Sequence, residues 1–515
     1  MKKSLFLSLM AVIIALVSCD KKADYQSVIP ASPAVAVKTN IGQILNKSEL
    51  LKDVQISGLA KMAISNLPEE ARTLYGNILN DPKACGIDID QPAFAIVENV
   101  KPVKGFALLA VKDEAQLKKL IDVTIQQFGG YSKPTLESAG GINEIKDQRG
   151  NTIMAFDAVK FVIPFAQGTT DAKEYMTPAT DNGEKNSTFE AFIKKGSDIA
   201  TYLDYNHIMD FAAMLSPEMQ GTNLDIYKNV KLATYLNFEN GKIVLDYKVS
   251  GYDQAEEIYE KTTTAPDGKL FQYLPFDTWG VLQSGIKNTC AFQEYMPQET
   301  VAQLEELLNN INKELDSEKC DAKITLSLLS SIKGDLIAAI AAPANETQSE
   351  EPQGIVIAEC ADDKLFSTLK KIIQCKMGDA FQETAPNILK GYGYCFGYAD
   401  NKTFLMPENI FNQCYSNGKF KKLDKNLTNA KLYSTMKQNT GLAVDFGKIA
   451  QFMKSAGDNK LAMAANIVSK FSEATIITRS ATETEMQIIM SNGTTNALKQ
   501  LKDMIFEISM LSMAI

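Results

Sequence analysis

Three aspartates recur along the chain: Asp113, Asp157 and Asp204 return as Asp362, Asp400 and Asp445. Brought together in one cleft, such carboxylates would share protons as a general acid and base, or hold a cation. Each also sits where aspartate serves the backbone: ahead of a helix, in a hairpin turn, and at a strand-to-helix junction. There its short side chain accepts bonds from nearby N–H groups. This local assignment is favoured over catalysis. His207, in DYNHIMDF, is the only histidine, and its counterpart is Lys448, so imidazole is not part of what repeats. It reads as a surface or edge residue. A single histidine also leaves no His cluster for zinc or iron.

The cysteines divide into Cys19 and seven others, at 85, 290, 320, 360, 375, 395 and 414. The seven show no CxxC or metal-ligand spacing and are odd in number. Cys360 and Cys395 fall in strand-like runs, so buried free thiols are the default; a Cys290–Cys320 bridge is one pairing that export would permit. No GxSxG, P-loop, HExxH or strand-linked GxGxxG motif is present. The Gly391–Gly397 run leads into a strand rather than a helix, and Tyr392 and Tyr394 within it, with Tyr398 just after it, could form an aromatic stripe. No cofactor or metal site is assigned.

The elements that carry these residues are written twice. Ile199–Ser250 matches the segment 241 positions later without a gap over about fifty residues: LDY at 203–205 falls on VDF, and Leu245, Tyr247 and Val249 fall on Met486, Ile488 and Met490. Earlier strands match at offsets of 243 and 249, with Asp157 set on Asp400, Phe161 on Phe404 and Pro164 on Pro407. Offsets change only in loop-like sequence, as in a tandem duplication. Ala34–Lys38, Ala93–Val97, Phe106–Val111, Thr152–Phe156 and Lys160–Phe165 read as strands. Ile41–Leu51, residues 49–83 broken near Pro68, the segment capped by Asp113, and Glu299–Leu315 read as helices. Residues 168–187 and the acidic insert 343–353 read as loops.

With 45% hydrophobic and 22% charged residues over 515 positions, the chain suits two or more globular domains. A formal charge of −9, which becomes −11 once residues 1–18 with Lys2 and Lys3 are removed, argues against a nucleic-acid partner. The single Trp279 weakens a glycan-binding reading, which 18 tyrosines keep open.

The chain begins MKKSLFLSLMAVIIALVSC: a basic pair, a thirteen-residue apolar run from Leu5 to Val17, and Leu16-Val17-Ser18-Cys19. That is an export signal ending in a sequence that resembles a bacterial lipobox. The resemblance implies cleavage before Cys19 and its acylation, with DKKADYQ as a tether. The following YQSVIPASPAVAVKTNIGQILNKSELL is similar to the start of a group of Bacteroidota lipoproteins known as domain of unknown function 4836, which implies location and architecture but no activity.

The expected fold class is α+β: two tandem, internally duplicated domains, 28–262 and 270–515, each an antiparallel β-sheet with helices packed on one face. They follow a signal peptide (1–18) and a tether (19–27). The expected function is that of a non-enzymatic binding or scaffolding lipoprotein of the cell envelope. Its partners are membrane lipid and another envelope protein, with a glycan ranked lower; the outer membrane is favoured over the inner, and the leaflet is open. The alternative is a hydrolase with a carboxylate site in the inter-domain cleft.

Overall fold

The computed structural model describes residues 24–128, 133–166, 171–179, 186–208, 229–252, 254–295, 298–343, 351–456 and 459–514. The export signal, Cys19, and most of the acidic insert lie outside them. Internal contacts divide the chain into two units: Met1–Pro217 with Lys231–Ala233, and Glu218–Val230 with Thr234–Ile515.

The first unit contains β1 (Val35–Thr39), β2 (Ala93–Val100), β3 (Val103–Ala110), β4 (Thr135–Ala139), β5 (Ile142–Lys146), β6 (Thr152–Phe156), β7 (Lys160–Ala166) and β8 (Ile199–Asp204). All pairings are antiparallel, in the order β8–β1–β2–β3–β7–β6–β5–β4. Its helices are α1 (Ile41–Ser48), α2 (Val54–Ser65), α3 (Glu69–Asn80), α4 (Glu114–Phe128) and α5 (Ser187–Lys194). Alternation along the strands sends Ala36, Ile96, Phe106, Val162 and Tyr202 to one face, all fully buried. There Phe189 of α5 meets Tyr202 at 4.8 Å between ring centres, and Tyr175 meets Phe106 at 4.5 Å. Tyr175 lies within the 168–187 stretch, part of which is therefore ordered against the sheet.

The second unit takes in most of β9 (Lys231–Glu239), which straddles the division, and β10 (Lys242–Ser250). It continues with β11 (Thr263–Thr264), β12 (Thr278–Ile286), β13 (Ile332–Ala341), β14 (Gln353–Cys360), β15 (Gln382–Ala385), β16 (Ile388–Gly391), β17 (Tyr394–Ala399) and β18 (Lys402–Pro407). A small ribbon, β19 (Tyr415–Ser416) with β20 (Lys419–Phe420), precedes β21 (Thr440–Asp445), β22 (Phe471–Thr478) and β23 (Glu483–Met490). The antiparallel order is β10–β23–β22–β21–β12–β13–β14–β18–β17–β16–β15. From β21 to β15 this is the sequence of pairings that runs from β8 to β4 in the first unit. One face is buried by Val281, Ile337, Ile357, Phe404 and Met406 against α8 (Glu408–Cys414) and α9 (Lys431–Met436), given that α6 is Gln298–Ser317 and α7 is Lys364–Met377.

Two expectations are corrected. Helices do not keep to one face. In the first unit α4 turns back onto the face opposite α5, where Leu117 packs with Phe156 and Phe161. In the second, α7 packs Phe366 against Leu389 and Phe396, opposite the main core. In both cases the chain leaving an inner strand crosses the sheet surface before re-entering at its far edge. Second, the far-edge hairpins β4–β5 and β15–β16 were not expected; TLESAGGINEIK alternates polar residues around a Gly140-Gly141 turn and carries almost no apolar signal. By its contacts β10 falls in the second unit, where Lys242–Lys248 pairs with Glu483–Ile489. The contact division therefore falls ahead of the 262–270 linker.

Candidate functional site

The recurring aspartates serve their own surroundings. Asp113 caps α4, accepting the Gln116 N–H at 3.0 Å, and Asp362 accepts the Lys364 N–H at 3.2 Å and the Ser331 hydroxyl at 2.7 Å. Asp445 accepts the Lys448 N–H at 3.0 Å, while the buried Asp204 accepts the Asn206 N–H at 3.1 Å and lies 3.4 Å from Lys231 Nζ. Asp157 and Asp400 are not equivalent. Strand register sets Ile163 opposite Ala107 and Leu405 opposite Val356, one residue away from the match of Phe161 with Phe404 read in the sequence. Asp157 closes its hairpin by accepting the N–H groups of Val159 and Lys160 at 2.8 and 2.9 Å. Asp400 instead occupies a left-handed turn position (φ 50°) and accepts the Phe420 N–H at 2.8 Å. His207 is exposed.

Cys320 is bonded to Cys375, not to Cys290, and the bridge joins the end of α6 to α7. Cys85 and Cys290 are free and half-buried; Cys360, Cys395 and Cys414 are free and buried. Burial pushes the Cys395 thiol up to about 11 and the Cys414 thiol up to about 12, which keeps both protonated and unreactive at neutral pH. The three tyrosines do not form a stripe. Tyr392 projects from a turn, 73% exposed, Tyr398 stacks on Phe366, and the Tyr394 hydroxyl accepts the Gly354 N–H at 3.2 Å.

Two buried polar groups escaped sequence reasoning. Asp335 accepts the N–H groups of Asp267 and Gly268, each at 3.0 Å, and so pins the turn that precedes residues 269–273 to β13. Burial, with the Asp267 and Glu359 carboxylates nearby, pushes it up to about 6. Asp267 and Asp335 stand 68 positions apart, and the sequence gives no hint of the pairing. The second group is a matched pair. Lys38 in β1 and Gln283 in β12 hold the same register position, facing Ala200 and Gly441. Lys38 Nζ donates to the carbonyls of Phe192 (2.6 Å), Ile193 (3.2 Å) and Lys195 (2.6 Å) at the end of α5. Gln283 Nε2 donates to those of Met436 (2.8 Å) and Asn439 (3.2 Å) after α9. Both satisfy the orphan carbonyls that a helix C-terminus leaves behind.

A different arrangement distinguishes the second unit. On the sheet face opposite its main core, Ile476, Leu442, Leu282, Ala338, Val356 and Leu405 lie in one register row across β22, β21, β12, β13, β14 and β18. The row is roughly 24 Å long at the usual strand spacing. Leu282 is 51% exposed, and Ile340, two residues along from Ala338, is 52% exposed. Ile340 stands between Gly280 and Gly354, and a Cβ at Gly354 would meet nothing within 4 Å. The corresponding row of the first unit is Thr201–Val37–Ala95–Ala107–Ile163, smaller and half-buried. There the glycine matching Gly354 is Gly105, and the Phe165 ring roofs it.

A large antiparallel sheet flanked by helices, with an open apolar face in the second unit, defines an α+β protein with no catalytic constellation among its described residues. The chain belongs to the family described as Domain of unknown function (DUF4836), whose model matches residues 25–498. No curated protein matches it. Solved structures it is similar to include two crystal forms of TP0453. Form III is 10% identical over 47% of this chain and 88% of that one, and form IV 9% identical over 46% and 84%, both at a TM-score of 0.27. A TM-score that low establishes no shared fold. Among the described residues, no helix is long and apolar enough to cross a membrane.

Proposed function

We propose that the chain is a lipid-anchored envelope protein that binds another envelope polypeptide through the open sheet face of its second unit. The carrying observation is the divergence between corresponding rows: large aliphatics stand exposed in one unit where small or half-buried residues stand in the other. The exposed apolar area of the row with Ile340 is on the order of 400 Å², in the range of the largest patches on monomers, which are often functional. A row roughly 24 Å long accommodates an apolar helix of about 16 residues, or a short sheet, laid across the strands.

Anchoring through Cys19 and export rest on the N-terminal sequence, and the Cys320–Cys375 bridge supports an oxidising compartment. The matching order of pairings in the two units supports an origin by tandem duplication. The hydrolase alternative is less favoured, because each recurring aspartate accepts hydrogen bonds from backbone N–H groups, five of them within their own turn or cap and Asp400 from Phe420.

A photoreactive amino acid at position 282 or 442, introduced in cells, tests the binding reading. One defined polypeptide adduct is expected from each, and none from position 37. Adducts only with lipid or glycan, or equal labelling from position 37, would overturn it.

A further inference from the structure

We infer that α2, in the first unit, lies in the lipid interface beneath the anchored N-terminus. Its sequence, VQISGLAKMAIS, contains one charge, Lys61, and the helix buries no residue. Val54, Leu59 and Met62 are 84%, 64% and 67% exposed. Ile56, Ala60 and Ile64, on the other side, are only half-buried. Its exposed side carries Val54, Leu59 and Met62 beside Gln55 and Lys61, and large apolar side chains exposed together on one helix lack a cover. At twelve residues it is about 18 Å long, too short to span a bilayer but suited to lying along its surface.

The occupant follows from where the chain enters the fold. Asp24 and Tyr25 are the first described residues, and the Tyr25 hydroxyl donates to the Pro92 carbonyl at 2.8 Å. Asp24, Asp88 and Gln91 line one depression; Leu51, Lys52, Ile89 and Asp90 line another. The chain entry and the base of α2 therefore flank the same short segment, residues 88–91. Four residues lie between Cys19 and Asp24, so five Cα steps reach at most about 18 Å. Acylated at Cys19, the first unit is held against the bilayer at the end from which α2 projects. Asp53 is turned to the helix itself, accepting the N–H groups of Gln55 and Ile56, and Lys61 can snorkel toward the headgroups. Leu59 and Met62 are then the residues that meet acyl chains.

This inference rests on the anchored reading, and the test separates the two. Trp279 is the only tryptophan and is 8% exposed, so it serves as an internal reference. The full chain carrying Leu59→Trp is reconstituted into phosphatidylethanolamine–phosphatidylglycerol vesicles with brominated acyl chains, and lipidation of Cys19 is read by mass spectrometry. The expected result is a blue-shifted emission component quenched by half or more, absent from the parent and from Tyr392→Trp in the second unit. A lipidated chain whose added tryptophan is not quenched overturns the role of α2 and leaves the anchor standing. An unmodified Cys19 overturns the anchor; the same unmodified chain, added to excess vesicles, then tests α2 alone by the same quenching. Concentration-dependent dimerisation that protects position 59 without quenching would assign the helix to a second copy and also overturn the inference.

Discussion

Replacing Lys38 by methionine removes the donor that closes α5 while keeping a side chain of similar length. In the folded protein three carbonyls lose their partner, at 2.6, 3.2 and 2.6 Å. Hydrogen bonds to a charged group contribute roughly 1.5–3 kcal/mol each, and a buried orphan carbonyl costs about 1–3 kcal/mol. Against this stands the relief of holding an ammonium group 2% exposed, with Lys195 adding repulsion. Burial first, and Lys195 second, lower the Lys38 ammonium to about 8. The two effects partly offset, leaving a net loss of about 2 kcal/mol at pH 7. The pH dependence has a definite sign. With the folded value below the unfolded one, the unfolded chain binds more protons between about pH 8 and 10.5, so the wild type gains stability as pH rises through that window. The Lys38→Met variant cannot follow, and its deficit should widen by about 1 kcal/mol between pH 7 and 9.5, after allowance for solvent screening. Urea unfolding followed by far-ultraviolet circular dichroism reads both units, while Trp279 fluorescence reports the second, so a transition seen by the first probe and not by the second belongs to the first unit. A variant within about 0.5 kcal/mol of wild type at both pH values would refute the capping argument. So would a deficit that narrows as pH rises.

Asp335→Asn should show the opposite pH trend. The raised folded value means that the wild type loses stability as pH climbs from about 4 to 6, so the variant should gain on it by about 1 kcal/mol across that window in urea titrations; parallel curves would count against the assignment. Cys320→Ser with Cys375→Ser opens a bridge spanning 55 residues and should cost up to about 4 kcal/mol in the second unit. Peptide mapping without reduction should recover the linked pair, and alkylation of both thiols in the native protein would contradict it.

Much of the architecture was legible because apolar periodicity reports which side chains face a core. β1 and β8 alternate throughout, β2 and β3 over most of their length, and Pro68 and Asp81 stop α2 and α3 where the sequence says they should. The edge hairpins were hidden because a strand with little to bury has little to alternate. The one-residue error between Phe161 and Phe404 arose because aromatic identity was matched rather than facing. Only the ladder shows that Val162, not Phe161, points into the main core of the first unit. The open row was invisible for a related reason: Leu282 and Leu442 look like core residues in a linear chain, and solvent exposure is decided by what does or does not pack above them. Lys38 and Gln283 were missed because a lysine and a glutamine share no sequence signal, although the fold asks both for an N–H donor at the same place.

The pairing of β10 with β23 has a consequence for inheritance. If the two halves arose from one ancestral segment, that segment once closed its sheet without a partner from a second copy. In the present chain, a cut at 262–270 would leave Glu483–Met490 as a bare strand edge on one product and the β9–β10 hairpin without its neighbour on the other. Bare edges of this kind recruit other chains. The β10–β23 pairing therefore covers two strand edges at once, and the segments on either side of 262–270 can differ in their side chains while this shared edge keeps them joined.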